Sequence, residues 1–330
     1  MKRCPQRQRP GQRHRLGVSA RPARGAALLV AMVLLSVVAT LAAGMVWQQW
    51  RAVQVESAER SRAQTAWLLV GALDWARLIL REDARSGKVT SLNEPWATPL
   101  AEARLSSFLA VDRDNNADAE AGPEAFLAGA ISDAQSRYNL RNLVAENQVA
   151  PAQLAALQRL CSSVGLGPDT ADLLASGLLA SARSDSTDAP LAPQQMADLT
   201  WLGLDAASIE RLSSVAVLLP APTPINLNTA SREVMAAVVP GLDLGSADRL
   251  VQARARRPLR NLADATEVLG PGIKLTEGVV DVRSAYFEVR GRLRLAQRVL
   301  ELQSLVQRRS GLQVVAIQRQ VQASLSPAGR

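Results

Sequence analysis

The feature that most constrains this chain is an uncharged apolar run from Ala26 to Trp47, 22 residues long. At a helical rise of about 1.5 Å per residue the run would extend about 33 Å, enough to cross a hydrocarbon core about 30 Å thick. Ser36, Thr40 and Gly44 recur within it at a spacing of four, which favours close approach of a second helix. The run therefore predicts a transmembrane helix, with membrane lipid as a partner.

A basic leader, residues 1–25, precedes this run. It contains eight Lys and Arg residues and no acid, whereas the rest of the chain contains 30 basic and 30 acidic residues and is formally neutral. Because Lys and Arg flanking a membrane helix stay on the cytoplasmic side, the leader predicts a cytoplasmic N-terminus. The body after Trp47 is then expected outside the cytoplasm. Its neutrality argues against nucleic-acid binding, which depends on excess positive charge.

Histidine and cysteine are almost confined to the leader. His14 and Cys4 lie there, and without the leader the chain has one cysteine, Cys161, and no histidine. This excludes an intrachain disulfide, a Ser-His-Asp triad and a Cys/His zinc site in the rest of the chain. Carboxylate catalysis and calcium binding remain open.

An oxygen-rich acidic stretch occupies residues 112–120, and its candidate ligands for calcium are Asp112, Asp114 and Asp118. The stretch is not an EF-hand, because its sixth position is not glycine and its twelfth is Pro123. Two interpretations stay open, a calcium site and a solvated acidic loop. A hydrolase using these carboxylates is a third possible function, although the sequence pairs no two of them in a pocket.

The pattern of apolar residues predicts an α+β fold. A spacing of three to four extends the membrane helix from Val46 to Arg81. Breakers mark a loop over 86–99, in which Trp96 is expected to anchor packing. One strand is predicted within 130–138, helices over 144–280, and three alternating strands at the end, over 284–295, 298–308 and 312–319. One antiparallel sheet interrupted by an all-α insertion fits this order.

A repeat lies within the helical part. Residues 164–174 and 239–250 both combine a helix end, a tight Gly-containing turn and a new helix start. The second copy resembles helix-hairpin-helix modules of DNA-binding proteins, whose helix N-termini hold a phosphate. Asp243 in the turn would repel a phosphate, and the basic cluster Arg254, Arg256 and Arg257 is more typical of a solvated face. A membrane-tethered DNA-binding protein for DNA uptake is therefore the alternative function.

Several stretches resemble one family, type II secretion system protein K, a minor pseudopilin of the general secretion pathway. They are the leader ending in Arg24-Gly25, the apolar helix, and the strings at 131–143, 223–231 and 282–287. The resemblance implies cleavage between Gly25 and Ala26 by the prepilin peptidase and methylation of Ala26. It also implies an inner-membrane protein with a periplasmic C-terminal domain and no enzymatic activity.

The family further implies an architecture and partners. The expected partners are minor pseudopilins I and J, together with pseudopilin H and the major pseudopilin G, at the tip of a periplasmic pseudopilus. The expected domains are a leader (1–25), an N-terminal helix (26–82), a pseudopilin α/β domain (83–143 and 279–330) and a helical insertion (144–278). The insertion would hold two SAM-like units, over about 144–220 and about 221–278. Calcium is the one cofactor that the family suggests.

One position departs from general pilins. Most pilin-like proteins have Glu at the fifth mature position, where its carboxylate can pair with the N-terminal amine of a neighbour. Here that position is Val30. An unpaired carboxylate in lipid is costly, so an apolar residue suits a subunit with no neighbour above it. We therefore expect Val30 to be a feature of a capping subunit.

Overall fold

The structure, a computed structural model, describes residues 24–87, 89–104, 125–182, 190–295, 298–309 and 312–325. The chain divides into two compact units, residues 1–63 and 64–330. Helix α1 (Arg24–Ser86) is 63 residues long. The first unit contains its N-terminal part, and the second contains its C-terminal part together with every strand and every other helix that the structure describes.

Helix α1 ends later than the periodicity predicted. The apolar pattern placed its end at Arg81 or residue 82, whereas the helix continues to Ser86. Residues 82–85 carry side chains that a helix tolerates, and Arg85 lies in the last turn, where a cation complements the helix dipole. The amide of Gly87 donates to the carbonyl of Asp83 at 2.8 Å and closes the final turn.

A five-stranded antiparallel sheet dominates the second unit, in the order β1-β2-β9-β10-β11. The strands of the described chain are β1 (Leu100–Arg104), β2 (Ala125–Asp133), β3 (Tyr138–Asn139), β4 (Val144–Ala145), β5 (Gln148–Val149), β6 (Ala216–Val217), β7 (Ile225–Asn226), β8 (Val280–Asp281), β9 (Tyr286–Leu295), β10 (Arg298–Arg309) and β11 (Gln313–Leu325). The two-residue strands pair as β3 with β6, β4 with β5 and β7 with β8. The three alternating strands predicted at the end of the chain are confirmed.

The C-terminal part of α1 packs on one face of this sheet. Leu69, Leu73 and Leu80 of the helix are at most 1% exposed, and they share a core with Phe287 of β9. Trp96, predicted to anchor packing, is 2% exposed and contacts the Phe287 ring edge-on, with 5.3 Å between centroids. Burial of these large side chains is the main stabilising contribution here.

The helical region lies between β2 and β9 in the chain. Its helices are α2 (Pro151–Ser163), α3 (Pro168–Ala182), α4 (Ala206–Ser213), α5 (Arg232–Val238), α6 (Leu244–Arg256) and α7 (Leu262–Leu269). They enclose a core of their own, in which Leu157, Leu160, Leu174 and Leu250 are fully buried. The strands of one sheet are thus interrupted by helices, and the mixed α+β class is confirmed.

Two local predictions were only partly right. The strand expected within 130–138 begins at Ala125 and ends at Asp133, because the Asp133 side chain accepts the Gln135 amide and starts a 3₁₀ turn. The region over 144–280 is not wholly helical, since β4 and β5 form a hairpin. Its turn residues Glu146 and Asn147 have φ of 51° and 59°, the left-handed geometry of tight hairpins.

The predicted repeat corresponds to two helix pairs. Residues 164–167 connect α2 to α3, and residues 239–243 connect α5 to α6. Gly165 and Gly241 occupy matching positions, with φ of 71° and 78°. Glycine suits both because side chains are strained in this conformation. That the pairs are helix-hairpin-helix or SAM-like units stays a prediction.

Candidate functional site

The apolar part of α1 exposes nearly all of its described side chains. Leu35 is 71% exposed and Trp47 is 61% exposed. The hydroxyls of Ser36 and Thr40 donate to carbonyls one turn back, at 2.8 and 2.9 Å. A helix satisfies its own backbone, so this segment presents only apolar surface to its surroundings. By length and composition it is the one described helix that could cross a membrane.

Of the residues predicted for processing and for metal binding, only the processing residues lie in the described part of the chain. Gly25 and Ala26 lie in the first turn of α1, and Val30, one turn later, is 57% exposed. Asp112, Asp114 and Asp118 lie outside the described residues. Within the described ranges, no group of three or more His, Cys, Asp or Glu side chains could hold a metal ion.

The three strings that carry the family resemblance meet at one buried carboxylate, Asp133. Its Oδ2 accepts hydrogen bonds from Asn226 Nδ2, Thr229 Oγ1 and Ser284 Oγ, at 2.9, 2.6 and 2.6 Å. Its Oδ1 accepts from the Gln135 amide at 2.8 Å. We call Asp133, Gln135, Asn226, Thr229 and Ser284 the polar junction. It joins β2, the start of β7 and the segment just before β9.

Burial and hydrogen bonding have opposite effects on the pKa of the Asp133 carboxyl. Burial raises the pKa of its carboxyl, because the charged form loses hydration. The hydrogen bonds from Ser284, Thr229, the Gln135 amide and Asn226 lower it again. The side chain is 3% exposed and its partners come from three separate stretches of chain. Such a network is strong only while every member is present.

Gln135 connects the same elements through its amide group. Its Oε1 accepts from the backbone amides of Ala285 and Tyr286 at 2.6 and 3.2 Å. Its Nε2 donates to the carbonyl of Pro224 at 3.1 Å. One buried side chain therefore fixes the starts of β7 and β9 relative to the end of β2.

A second set of contacts links the polar junction to the end of α1. Thr90 Oγ1 accepts from the Ser284 amide at 3.2 Å and from Arg308 Nη2 at 2.7 Å. Arg308 Nη1 donates to Asp83 Oδ2 of α1 at 2.9 Å. Burial and the nearby Glu94 raise the pKa of Asp83 to about 6, although Arg308 opposes the shift. The C-terminal end of α1 is thus tied to the junction by charged groups.

A salt bridge extends these contacts toward the helical region. Arg137 Nη2 lies 2.5 Å from Glu288 Oε1 of β9, and Arg137 Nη1 donates to the carbonyl of Ser213, the last residue of α4, at 3.1 Å. The two charged side chains are only 17% and 11% exposed. Removing either partner would leave a poorly hydrated charge, so the pair must be kept intact.

Three asparagine side chains form hydrogen bonds with backbone amides and carbonyls of the helical region. Asn139 bonds the carbonyl of Ala221 and the amide of Leu219, at 2.8 and 3.2 Å. Asn142 pairs with the carbonyl and amide of Thr223, and Asn228 pairs likewise with Leu259. The distances are 2.8 and 3.1 Å for Asn142, and both are 2.9 Å for Asn228. An amide side chain offers one donor and one acceptor side, which matches a peptide group.

In chemical terms the polar junction is a structural connection. Among the described residues, no buried side-chain nitrogen or oxygen lacks a hydrogen-bond partner. The side-chain oxygens of Asp133 and Gln135 already accept hydrogen bonds from other groups of the protein. The junction therefore fixes the helical region to the sheet. Sequence reasoning used these strings only as a resemblance and assigned Asp133, Asn226 and Ser284 no role. The usable signal was an Asp ending an apolar strand and an Asn-x-Asn-Thr string between apolar residues.

The described residues do not favour the DNA-binding alternative. Asp243 caps α6 by accepting from the Ser246 amide at 2.8 Å, so a carboxylate occupies the helix end where a phosphate would bind. Arg254, predicted to lie on a solvated face, is half-buried and donates to the carbonyl of Leu227, and burial lowers its pKa to about 10. The prediction was wrong for Arg254, because its guanidinium is half-buried where it meets the carbonyl of Leu227. It holds for Arg256 and Arg257, which are exposed.

Comparison with known proteins finds one family to which the chain is similar. Residues 225–283 match the family described as "Type II secretion system (T2SS), protein K". The segment begins at the first residue of β7 and contains Asn226 and Thr229 of the polar junction. Type II secretion system protein K of Pseudomonas aeruginosa is 28% identical over 317 residues, which cover 86% of this chain and 88% of that protein. The chain is therefore similar to protein K of type II secretion systems over most of its length.

Other protein K relatives agree. Protein K of Pectobacterium carotovorum is also 28% identical, covering 90% of this chain and 96% of that protein. The crystal structure of the GspK-GspI-GspJ complex from the enterotoxigenic Escherichia coli type 2 secretion system contains a chain similar in fold. It matches with a TM-score of 0.59 and 19% identity, over 81% of this chain and 99% of that one. The fold is therefore similar to that of a chain in this complex.

Proposed function

We propose that this chain is a non-catalytic minor pseudopilin that caps the tip of the type II secretion pseudopilus and helps to initiate its assembly. One observation supports this most. The helix α1 begins as an exposed apolar segment, and its C-terminal part packs against the antiparallel sheet. An apolar segment with no covering protein suits lipid, and the sheet with its helical insertion gives a bulky head. A wide head fits the end of a thin fibre better than its shaft.

The leader and the helix together support processing by the prepilin peptidase. Cleavage between Gly25 and Ala26 would remove all eight basic residues of the leader and leave the whole apolar run on the mature chain. A basic leader kept on the cytoplasmic side would leave the rest of the chain in the periplasm, with α1 as a single inner-membrane span. Methylation of Ala26 follows from the same assignment.

The proposed partners follow from the family. The related GspK occurs in a complex with GspI and GspJ, and this chain would bind the corresponding minor pseudopilins I and J. Pseudopilins H and G would lie below them in the fibre. No nucleic-acid partner is proposed.

The domain organisation belongs to the same proposal. The leader (1–25) precedes the helix (26–82), and a pseudopilin domain (83–143 and 279–330) surrounds a helical insertion (144–278). The polar junction supports this division, because Asp133 lies before the insertion and Ser284 after it. Calcium bound by Asp112, Asp114 and Asp118 stays a proposal that rests on the acidic composition of that stretch.

The location of the chain in the fibre can be tested by labelling. A peptide tag after Arg330 would be detected with gold on sheared pseudopili, alongside a tag on pseudopilin G as the control. The proposal expects label from this chain at one end of each fibre, and label from G along the shaft. Label from this chain along the shaft would contradict the capping role.

Val30 provides a second, narrower test. The Val30→Glu variant restores the carboxylate that most pilins have, at a position that is exposed on α1. If this subunit has no neighbour above it, the carboxylate finds no amine in lipid and assembly at the tip falls. Val30→Leu is the matched control and should assemble as the wild type does. Unchanged tip placement of Val30→Glu would count against the argument.

A further inference from the structure

The two edges of the sheet differ in how they are protected. The β1 edge is five residues long, has a register shift between Leu100 and Ala103, and carries Glu102 in a 2.5 Å salt bridge with Arg294. The β11 edge is 13 residues long and contains a single charged residue, Arg319. Proteins usually shorten, bend or charge a free edge because it can pair with another strand. The β11 edge also has one register shift, at Ile317 opposite Leu305 and Val306, but it is more than twice as long as β1 and carries one charge.

β11 pairs with a strand on one side only, because β10 is its single neighbour in the described five-stranded sheet. In an antiparallel sheet every second residue of an edge strand directs its N–H and C=O away from its neighbour. Two carbonyls of β11 already accept hydrogen bonds from side chains, that of Val314 from Arg77 Nε and that of Gln318 from Ser304 Oγ, both at 2.7 Å. β11 is the last strand of its sheet, so the described chain places no strand on the side of β11 that faces away from β10.

A groove of about 810 Å³ lies beside the start of β11, between that strand and the C-terminal part of α1. Arg77, Arg81 and Arg85 line it at a helical spacing of four, with Asp74 as its one acidic residue. Arg77 pairs with Asp74 at 2.8 Å, and Arg85 pairs with Glu82 at 2.9 Å. Arg81 is exposed and has no ion-pair partner among the described residues. The groove is therefore positively charged.

We propose that the β11 edge accepts an extended strand from a different protein chain, whose carboxylates enter this groove and pair with Arg81 and Arg85. Backbone hydrogen bonds along the edge would supply affinity, and the arginines would set the register. Pairing of β11 with the β11 strand of a second copy does not fit, because residues 312–325 contain no acid that could pair with the arginines. The inference rests on the proposed function, which provides the pseudopilin partners.

The test uses the mature chain in detergent with pseudopilins I and J of the same secretion system. Amide hydrogen exchange in residues 316–325 should slow about tenfold or more in the complex, because added pairing protects edge amides. The Arg81→Glu/Arg85→Glu variant should bind about tenfold more weakly and lose the salt dependence of binding. Arg256→Glu/Arg257→Glu, which changes charge equally on an exposed site of the helical region, is the control and should bind normally.

The outcomes separate the two proposals. If the wild-type chain binds neither pseudopilin, the proposed partnership fails and this inference fails with it. If the complex forms but exchange in β11 is unchanged, or both double variants bind as the wild type does, only the edge inference is overturned. Protection of β11 in the chain alone, with a mass of two copies, would also overturn it in favour of self-pairing.

Discussion

The two units of the chain differ in which side chains they expose: the first exposes apolar residues, and the second buries polar ones. In the first unit, apolar residues such as Leu35 and Trp47 are more than half exposed. In the second unit, polar residues such as Asp133, Asn226 and Ser284 are at most 5% exposed. Each arrangement would be unfavourable if the two units had the same surroundings.

This contrast indicates which surroundings each unit requires. An exposed apolar helix whose backbone is satisfied internally is stable in lipid, where its side chains meet hydrocarbon. A buried polar network is stable only when donors and acceptors are matched, as they are around Asp133. Substitutions of the same kind should therefore have different consequences in the two units.

The largest effect is expected from a charge in the packed part of α1. Leu73 is 1% exposed between the helix and the sheet, so Leu73→Asp would bury an unpaired carboxylate and destabilise the second unit by more than about 4 kcal/mol. Urea unfolding followed by tryptophan fluorescence measures this. Leu78→Asp, at a position that is 45% exposed on the same helix, is the control and should change stability by less than about 1 kcal/mol. Equal losses of stability for the two variants would contradict the claim that buried and exposed positions of α1 differ.

A somewhat smaller effect is expected at the polar junction. Asp133→Ala leaves donors of Asn226, Thr229 and Ser284 without their acceptor, which should destabilise the second unit by about 3 kcal/mol. Asp133→Asn keeps the shape and one acceptor, and the two hydroxyls can rotate, so it should cost less than half as much. The same urea titration compares the two variants. If Asp133→Ala leaves the free energy of unfolding unchanged, the junction contributes nothing to holding the helical region.

A charge in the exposed apolar part of α1 should leave folding intact and weaken membrane insertion. Val37→Asp places a carboxylate at mid-membrane depth, which disfavours insertion by about 2.5 kcal/mol. Carbonate extraction of membranes measures the retained fraction, and the urea midpoint of the second unit should be unchanged. Ser57→Asp, beyond the apolar run, is the control and should remain fully inserted. Unaltered retention of Val37→Asp would argue against a membrane span.

The smallest effect is a pH dependence from Asp83. Burial and Glu94 raise its pKa from 3.8 to about 6, so the folded chain binds this proton more tightly than the unfolded chain does. The stabilisation is complete below pH 3.8 and is lost as pH rises through about 6. The free energy of unfolding, measured by urea titration across this window, should therefore fall. Asp133 contributes with the same sign, and the difference between wild type and Asp83→Asn isolates Asp83. Identical slopes for the two proteins would contradict the assignment.

The sequence predicted the elements that follow from periodicity. The long helix repeats apolar residues every three to four positions, and the three final strands alternate over eight or more positions. The apolar run was predicted from its length and its lack of charge. The end of α1 was placed too early because residues 82–85 are polar, and polarity alone does not end a helix. β1 was not predicted at all, since five residues with one apolar face give little periodic signal.

The polar junction could not be predicted from local pattern. Asp133 and Ser284 are separated by the whole helical region, and the pairing of β2 with β9 brings Ser284 Oγ within 2.6 Å of Asp133 Oδ2. An Asp at a strand end reads as a turn residue until its partners are known. Arg254 shows the same limit, because its neighbours in sequence are exposed arginines, whereas the carbonyl that it meets belongs to Leu227.

The most direct test of the central claim is the mass of the N-terminal peptide of the chain purified from membranes, with and without prepilin peptidase. If the apolar part of α1 is a processed membrane anchor, the peptide begins at Ala26, carries one methyl group, and is replaced by the uncut leader when the peptidase is absent. A mature chain that begins at any other residue, or one that keeps its basic leader in the presence of the peptidase, would contradict the account.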